Sequence, residues 1–312
     1  MRNEVVTVFG GSGFLGRYVV RRLANAGARV RVICRYPHKA LHLKPMGEVG
    51  QITLERGDVA KRDDLSTFIA GSRHVVNLIG ILFEKGDQRF EVIQAQTPAR
   101  IAAAAAAAGV ERLVQLSAIG ADPESPAAYG RTKAEGEAAV RQAFPAATIL
   151  RPSVVFGPED DFFNRFGQMA QISPFLPLID GGETRFQPVY VDDVAKVVVL
   201  GLSEKFTAGE TFELGGPDVY TFRELLQYLL DVLNRRRLLL NLPANIATIQ
   251  ARFMEFLPKP PLTRDQIALL ASDNVVSPDA KGFAELGIEP TPLEVIVPSY
   301  VQRYAKRQPR AA

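Results

Sequence analysis

The chain has 312 residues, 47% hydrophobic and 23% charged, enough apolar material for one large α/β domain with or without an appendage. The net charge of +3 comes from Lys and Arg spread along the chain, which favours anionic partners only weakly and gives no footprint for nucleic acid. A single cysteine, Cys34, excludes a disulfide framework and points to a reducing compartment, and His38, His42 and His74 lack the spacing of metal ligands, so no metal is expected.

After Met1-Arg2-Asn3-Glu4 the chain enters Val5–Phe9, an apolar run that reads as a buried strand. That start leaves no room for a signal peptide, and no apolar run approaches the roughly 20 residues of a spanning helix, so a soluble or membrane-peripheral protein is expected. Leu15–Ala26 has helical periodicity and is closed by Gly27, and Arg29–Cys34 and Ile52–Arg56 are the second and third strands. Ala60–Ala70 reads as a helix closed by Gly71, and His74–Ile79 as the fourth strand. In "RIAAAAAAAGV" the best helix former predicts a helix packed closely on a sheet. Leu113–Leu116 and Thr148–Leu150 are further strands. Strands alternating with helices predict an α/β fold, a Rossmann-type doubly wound parallel sheet.

Beyond Phe156 the pattern is irregular, with Pro and Gly clusters in "ISPFLPLIDGG" and "FELGGPDVYT". The expected organisation is a core over 1–155 with a return segment at about 184–212. A smaller mixed C-terminal region, 156–183 and 213–312, would cover the cofactor cleft and dock to partners.

Gly10, Gly13 and Gly16 make GxxGxxG at the first strand-to-helix turn. The first glycine permits the tight turn, the second lets backbone approach a pyrophosphate, and the third lets helix and strand pack closely. With Ser12, Phe14 and Leu15 they form the expected dinucleotide site, where the helix N-terminus offers free N–H groups and a positive dipole end. An acid normally ends the second strand to bind the ribose hydroxyls of NAD; here Cys34 and Arg35 stand there. Arg35 offers a planar donor fork to a 2′-phosphate, and bonds to charged groups are worth roughly 1.5–3 kcal/mol each. NADPH is therefore expected, against the alternative of a solvated surface arginine. "RGDV" places Asp58 and Val59 where adenine should lie, and "NLIG" places Leu78, Ile79 and Gly80 beside the ribose and pyrophosphate.

In "AAYGRTKAEGE", Tyr129 and Lys133 lie one helical turn apart on one face. With the glycine loop, "RPSVVFGPED" and "PVYVDDVAK", this makes the chain similar to the extended and atypical short-chain dehydrogenases/reductases. "VFGGSGFLGRYVV", "HLKPMGEVGQ", "VVNLIG", "FGPEDDFFNRF", "LTRD" and "ELGIEPTPLE" further resemble the nucleotide-binding accessory subunits of respiratory complex I, the 39-kDa type, from about Val5 to Glu294. That resemblance implies a tightly held NADPH, with Pro152 and Val154 beside the cofactor. It also implies partners among the complex I subunits of the peripheral arm and quinone module, near the membrane interface. The expected location is peripheral, on the cytoplasmic face of a bacterial inner membrane or the matrix side of a mitochondrial one.

The superfamily resemblance implies that Tyr129 moves a proton, that Lys133 lowers its pKa and grips the nicotinamide ribose, and that Ser117 positions a carbonyl. The chain departs from that pattern at Ala118 and Ile119, where a hydroxyl usually stands, and Ser117 precedes Tyr129 by only 12 positions. A vestigial site, with the nucleotide held for structure, is the reading this favours. An active NADP-dependent reductase or epimerase on a lipophilic or quinone-like substrate stays open beside it, as does an NADP(H)-sensing regulatory protein.

In the segment 234–262 a basic triplet, Arg235–Arg237, precedes a helix that would align Ile246, Ile249, Phe253, Phe256 and Leu257 on one side. That stripe either packs on the protein's own core or faces a partner subunit or the membrane interface. Thr263 and Gln266 form a capping box that starts another helix.

Overall fold

The computed structural model describes residues 1–61, 64–257 and 260–306. Arg62 and Asp63 of the expected Ala60–Ala70 helix, Pro258 and Lys259 of the 234–262 segment, and residues 307–312 of the expected C-terminal region lie outside the described residues. The chain divides into two compact units, the first made of Met1–Pro152, Val191–Leu214 and Ser277–Ile288, the second of Ser153–Tyr190, Gly215–Val276 and the residues from Glu289 onward.

The first unit carries β1 (Val5–Phe9), β2 (Arg29–Cys34), β3 (Ile52–Arg56), β4 (His74–Asn77), β5 (Arg112–Leu116) and β6 (Thr148–Pro152). Together with Thr211–Leu214 they form a seven-stranded sheet ordered Thr211–Leu214, β6, β5, β4, β1, β2, β3, parallel throughout. Val8 stands opposite Val32 on one side and Val76 on the other. Val6, Thr7, Val8 and Phe9 are all buried, because helices cover both faces of a parallel sheet and remove any need for polar alternation. The one polar member, Thr7, donates to the Phe68 carbonyl at 3.1 Å. Helix α1 (Phe14–Asn25) buries Leu15, Tyr18, Val19, Val20 and Leu23 and ends at Gly27, whose φ of +82° suits a left-handed close.

Two expected elements differ. β4 stops at Asn77, not Ile79, because the Asn77 side chain turns back to accept the Ile79 N–H at 3.1 Å and ends the ladder. The expected Ala60–Ala70 helix reduces to α2 (Ser66–Ile69). Asp58 accepts the Ala60 N–H at 3.2 Å and Asp64 that of Ser66 at 2.8 Å, so local Asx turns compete with the helix. The alanine run forms α3 (Thr97–Ala107), with Ile101, Ala102 and Ala105 fully buried. It is preceded by a π-helical turn, Glu91–Gln96, that periodicity does not reveal. Helix α4 (Ala128–Ala143) then carries the YxxxK pair.

In the second unit, helices Phe162–Ile172, Phe222–Val232 and Leu293–Val301 enclose a core that includes Phe156, Phe163, Leu226 and Val297. The stretch that looked irregular is therefore regularly built. Asp160 is buried there and accepts the N–H groups of Gly157 at 3.1 Å and Asn164 at 3.2 Å and the Tyr300 hydroxyl. Strand Phe175–Ile179 pairs in parallel with Leu238–Leu242. Helix Ala244–Met254 buries only Ala247 and Ala251 and turns Ile249 and Phe253 outward, 62% and 71% exposed. Ile246 is exposed with them, and so are Phe256 and Leu257 just past the helix end. Of the basic triplet, Arg235 donates to the Tyr304 carbonyl at 2.7 Å and Arg237 to that of Ala170 at 2.8 Å. Thr263 and Gln266 cap the helix Arg264–Leu269 reciprocally, as their spacing requires. Among the described residues no helix is long and apolar enough to cross a membrane.

Candidate functional site

The carboxyl ends of β1, β2, β3 and β4 converge on a cavity of about 230 Å³. Gly10, Ser12 and Gly13 line it from the β1 loop, Arg35 from the end of β2, Asp58 and Val59 from the end of β3, and Leu78, Ile79 and Gly80 from the end of β4. β1 lies between β4 and β2, so the crossovers diverge there, which is where doubly wound sheets bind ligands. Cys34, already marked beside Arg35, and Gly57 of the RGDV run also line the cavity, as do Ile33, Ile81, Gln88 and Ile93, which went unnoticed in the sequence. Ile33 and Ile81 were legible as immediate neighbours of motif residues; Gln88 and Ile93 carry no local signal.

The glycine loop has the geometry a pyrophosphate needs. Gly10 has φ +79°, which a side chain disfavours. A side chain on Gly16 would collide with the Gly10 carbonyl and the Gly11 backbone, so helix and loop touch there. Gly13 occupies the N-cap without a side-chain cap, and the first turn of α1, Phe14–Leu15–Gly16, holds no acid. Its N–H groups are thereby left to an anion. Arg35 is exposed at the cavity edge, where Gln88, with its amide oxygen turned toward the guanidinium, accepts from both terminal nitrogens.

Helix α4 carries the second set of expected residues; neither Tyr129 nor Lys133 is among the lining residues, but Lys133 approaches the cavity at Gly80. Lys133 Nζ stands 5.8 Å from the Tyr129 ring centre and donates to the Leu116 carbonyl at 3.5 Å. A methyl group on Gly80 would lie 3.4 Å from Lys133 Nζ, so the lysine reaches the β4 end of the cavity. Burial lowers its pKa to about 8, against a smaller upward pull from Glu137 one turn on. Glu137 is committed elsewhere, bound at both oxygens by Arg151 at 2.9 and 2.7 Å, with Glu213 the second carboxylate on that arginine at 3.4 Å. Phe90 meets the Tyr129 ring edge-on at 6.0 Å.

Ser117 donates its N–H to Leu150 at 2.7 Å, while its Oγ is buried with no hydrogen-bond partner. The Gln94 Oε1 is likewise buried and unpaired, on the π-helical turn. Unmade bonds at such atoms cost about 1–3 kcal/mol each, so both fit a site built to receive a polar ligand. Pro152 ends β6 and accepts the Ile119 N–H at 3.0 Å. Val154 belongs to the second unit, its N–H donated to Asn274 at 3.1 Å. Among the described residues no cluster of His, Cys, Asp and Glu could hold a metal.

Residues 6–215 match the NAD dependent epimerase/dehydratase family. The chain is 38% identical to "NADH dehydrogenase [ubiquinone] 1 alpha subcomplex subunit 9, mitochondrial" of Arabidopsis thaliana, over 98% of this chain and 79% of the relative. It is 31% identical to the ceramide reductase of Caulobacter vibrioides, over 77% of this chain and 74% of that one. Among solved structures it is similar in fold to a dTDP-glucose 4,6-dehydratase of Streptomyces venezuelae with NAD and TYD bound, with TM-score 0.73 and 21% identity over 96% of both chains.

Proposed function

The chain belongs to the NAD dependent epimerase/dehydratase family and, within it, to the family of the complex I subunit-9 proteins, and we propose that it is an accessory subunit of NADH:ubiquinone oxidoreductase that holds NADPH mainly as a structural ligand. The observation that carries this reading is the 38% identity to a subunit of that complex along 98% of the chain. The glycine loop and the start of α1 hold the pyrophosphate, Asp58 and Val59 flank the adenine, and Arg35 takes the 2′-phosphate. Leu78, Ile79 and Gly80 lie along the ribose and pyrophosphate, with Pro152 toward the nicotinamide.

The nucleotide, when bound, can supply a hydride. On this chain Tyr129 can hold a proton and Lys133 keeps a positive charge beside it, yet Ala118 and Ile119 offer no hydroxyl to orient a carbonyl. The vestigial reading rests on that gap. A ligand bound only by the folded state stabilises it by about 4.1 kcal/mol at a thousandfold excess over Kd, which is function enough for an assembly subunit.

The partners we propose are complex I subunits of the peripheral arm and quinone module, at the membrane interface, on the matrix or cytoplasmic face. The exposed apolar residues of helix Ala244–Met254 in the second unit support a docking role for that region. A second reading, an active reductase on a lipophilic substrate, is favoured by the ceramide reductase relative and by the Tyr129–Lys133 pair. Purification of the tagged chain from gently solubilised membranes separates the two. Under the first it elutes with NADH:ubiquinone oxidoreductase, and I249E/F253E, altering two exposed side chains, releases it with its thermal transition intact. Elution as a free protein with NADPH-dependent reductase activity would establish the second.

A further inference from the structure

The hairpin that follows β4 is tied to the wrong side of the sheet for a simple loop. Its turn is fixed by mutual backbone bonds between Lys85 and Gln88, 3.0 Å each, around Gly86 at φ +56°. Glu84 braces the root, accepting the Phe90 N–H at 2.8 Å and the Arg89 guanidinium at 3.2 Å. From this base Asp87 reaches Lys61 at 2.8 Å and Gln88 reaches Arg35. Arg35 follows β2 and Lys61 follows β3, whereas the hairpin leaves from β4, and β1 lies between. With strands about 4.8 Å apart, those contacts require the hairpin to pass over the carboxyl end of β1 and the glycine loop it feeds. Gln88 meanwhile lines the cavity.

We propose that Glu84–Phe90 is a strap across the adenosine end of the cavity, fastened by Asp87 to Lys61 and by Gln88 to Arg35, which sets how slowly a bound dinucleotide leaves. The proposal rests on the reading that this cavity takes a dinucleotide. The strap's root lies at Phe90, against Tyr129, and its tip at the ends of β2 and β3, so it runs along the length of the ligand. Departure of the ligand requires the tip to let go. Both members of the Asp87–Lys61 pair are largely exposed, so the fastening is weak, screened by salt and readily reversed. Gln88 also holds the guanidinium assigned to the 2′-phosphate, which makes it a positioning residue for cofactor choice.

The test is the release rate of NADPH and of NADH from the purified full-length chain, followed by nucleotide fluorescence after addition of excess unlabelled NADP or NAD. K61D and D87K should each speed release of both nucleotides by about fivefold, the upper range for an exposed pair. The double swap K61D/D87K should return NADH release to within about twofold of the parent rate, and Q88A should speed NADPH release. Unchanged rates in both single variants, or a swap that fails to restore NADH release, overturn the strap. A chain that retains NADH but not NADPH defeats the cofactor assignment and leaves the strap to be judged on the NADH rates. A chain that binds neither nucleotide defeats both.

Discussion

Lys133 Nζ stands 5.8 Å from the centre of the Tyr129 ring, the two residues one turn apart on α4, and the lysine reaches Gly80 at the β4 end of the cavity. Lys133 is only 6% exposed, and its burial holds the ammonium near pKa 8 where an unfolded lysine stays protonated to about 10.5. Between those values the unfolded chain binds more protons than the folded one, so stability rises with pH across that window, by up to about 3 kcal/mol. The penalty is fully present below pH 8. Other groups titrate there too, and burial raises the Cys34 thiol with the opposite sign, so the comparison must be with K133M. Urea unfolding of the nucleotide-free proteins should show the parent gaining on K133M from pH 8 to 10.5. A constant difference over that range contradicts the burial of a charged lysine.

Two glycines of the same loop should fail differently. A side chain on Gly16 meets backbone on α1's own approach to the loop, so G16A should lower the stability of the nucleotide-free chain by about 1–3 kcal/mol, as overpacking does. A Cβ on Gly13 would lie 3.3 Å from the Gly10 carbonyl, a contact that a small shift relieves. G13V should keep the nucleotide-free fold and lose the nucleotide, with the valine branches standing where the pyrophosphate approaches. Thermal melts with and without added NADPH distinguish the two, since only G16A should melt early without the ligand.

Assigned to the 2′-phosphate in the proposed function, Arg35 should decide between cofactors. R35D should weaken NADPH binding by at least about 1.5 kcal/mol, the lower end for a charge-assisted bond, and narrow or reverse the preference over NADH. Titration calorimetry with both nucleotides gives the ratio directly. Equal losses for the two would mean that Arg35 is a solvated surface arginine.

Much of the first unit was readable because periodicity and glycine placement act locally. β1, β2 and β3 have the limits their apolar runs indicate, and the cavity gathers the residues that end them. What escaped was set by side chains closing turns or by contacts far along the chain. Asn77 cuts β4 short and Asp58 with Asp64 breaks up a helix, all by bonds that no hydrophobic pattern encodes. The π-helical turn that buries Gln94 and the hairpin that brings Gln88 to Arg35 depend on tertiary packing. The helix after Pro243 was legible as amphipathic, but only the structure distinguishes its sides. Its small residues Ala247 and Ala251 face inward and its bulky ones face out, the reverse of a helix packing its large side chains on its own core.

On the proposed function, the nucleotide is held and not consumed. Hydride transfer needs a carbonyl within about 3–3.5 Å of the nicotinamide and a positioned proton source, and Tyr129 supplies at most the second. The most direct measurement is the redox state of the nucleotide bound to this chain within the purified NADH:ubiquinone oxidoreductase during turnover with NADH and a quinone, read by rapid quench and chromatography. A structural nucleotide should stay NADPH at unchanged occupancy and unchanged reduction throughout, in the parent and in Y129F alike. NADPH that is oxidised and re-reduced at the rate of turnover in the parent, and fixed in Y129F, would contradict it.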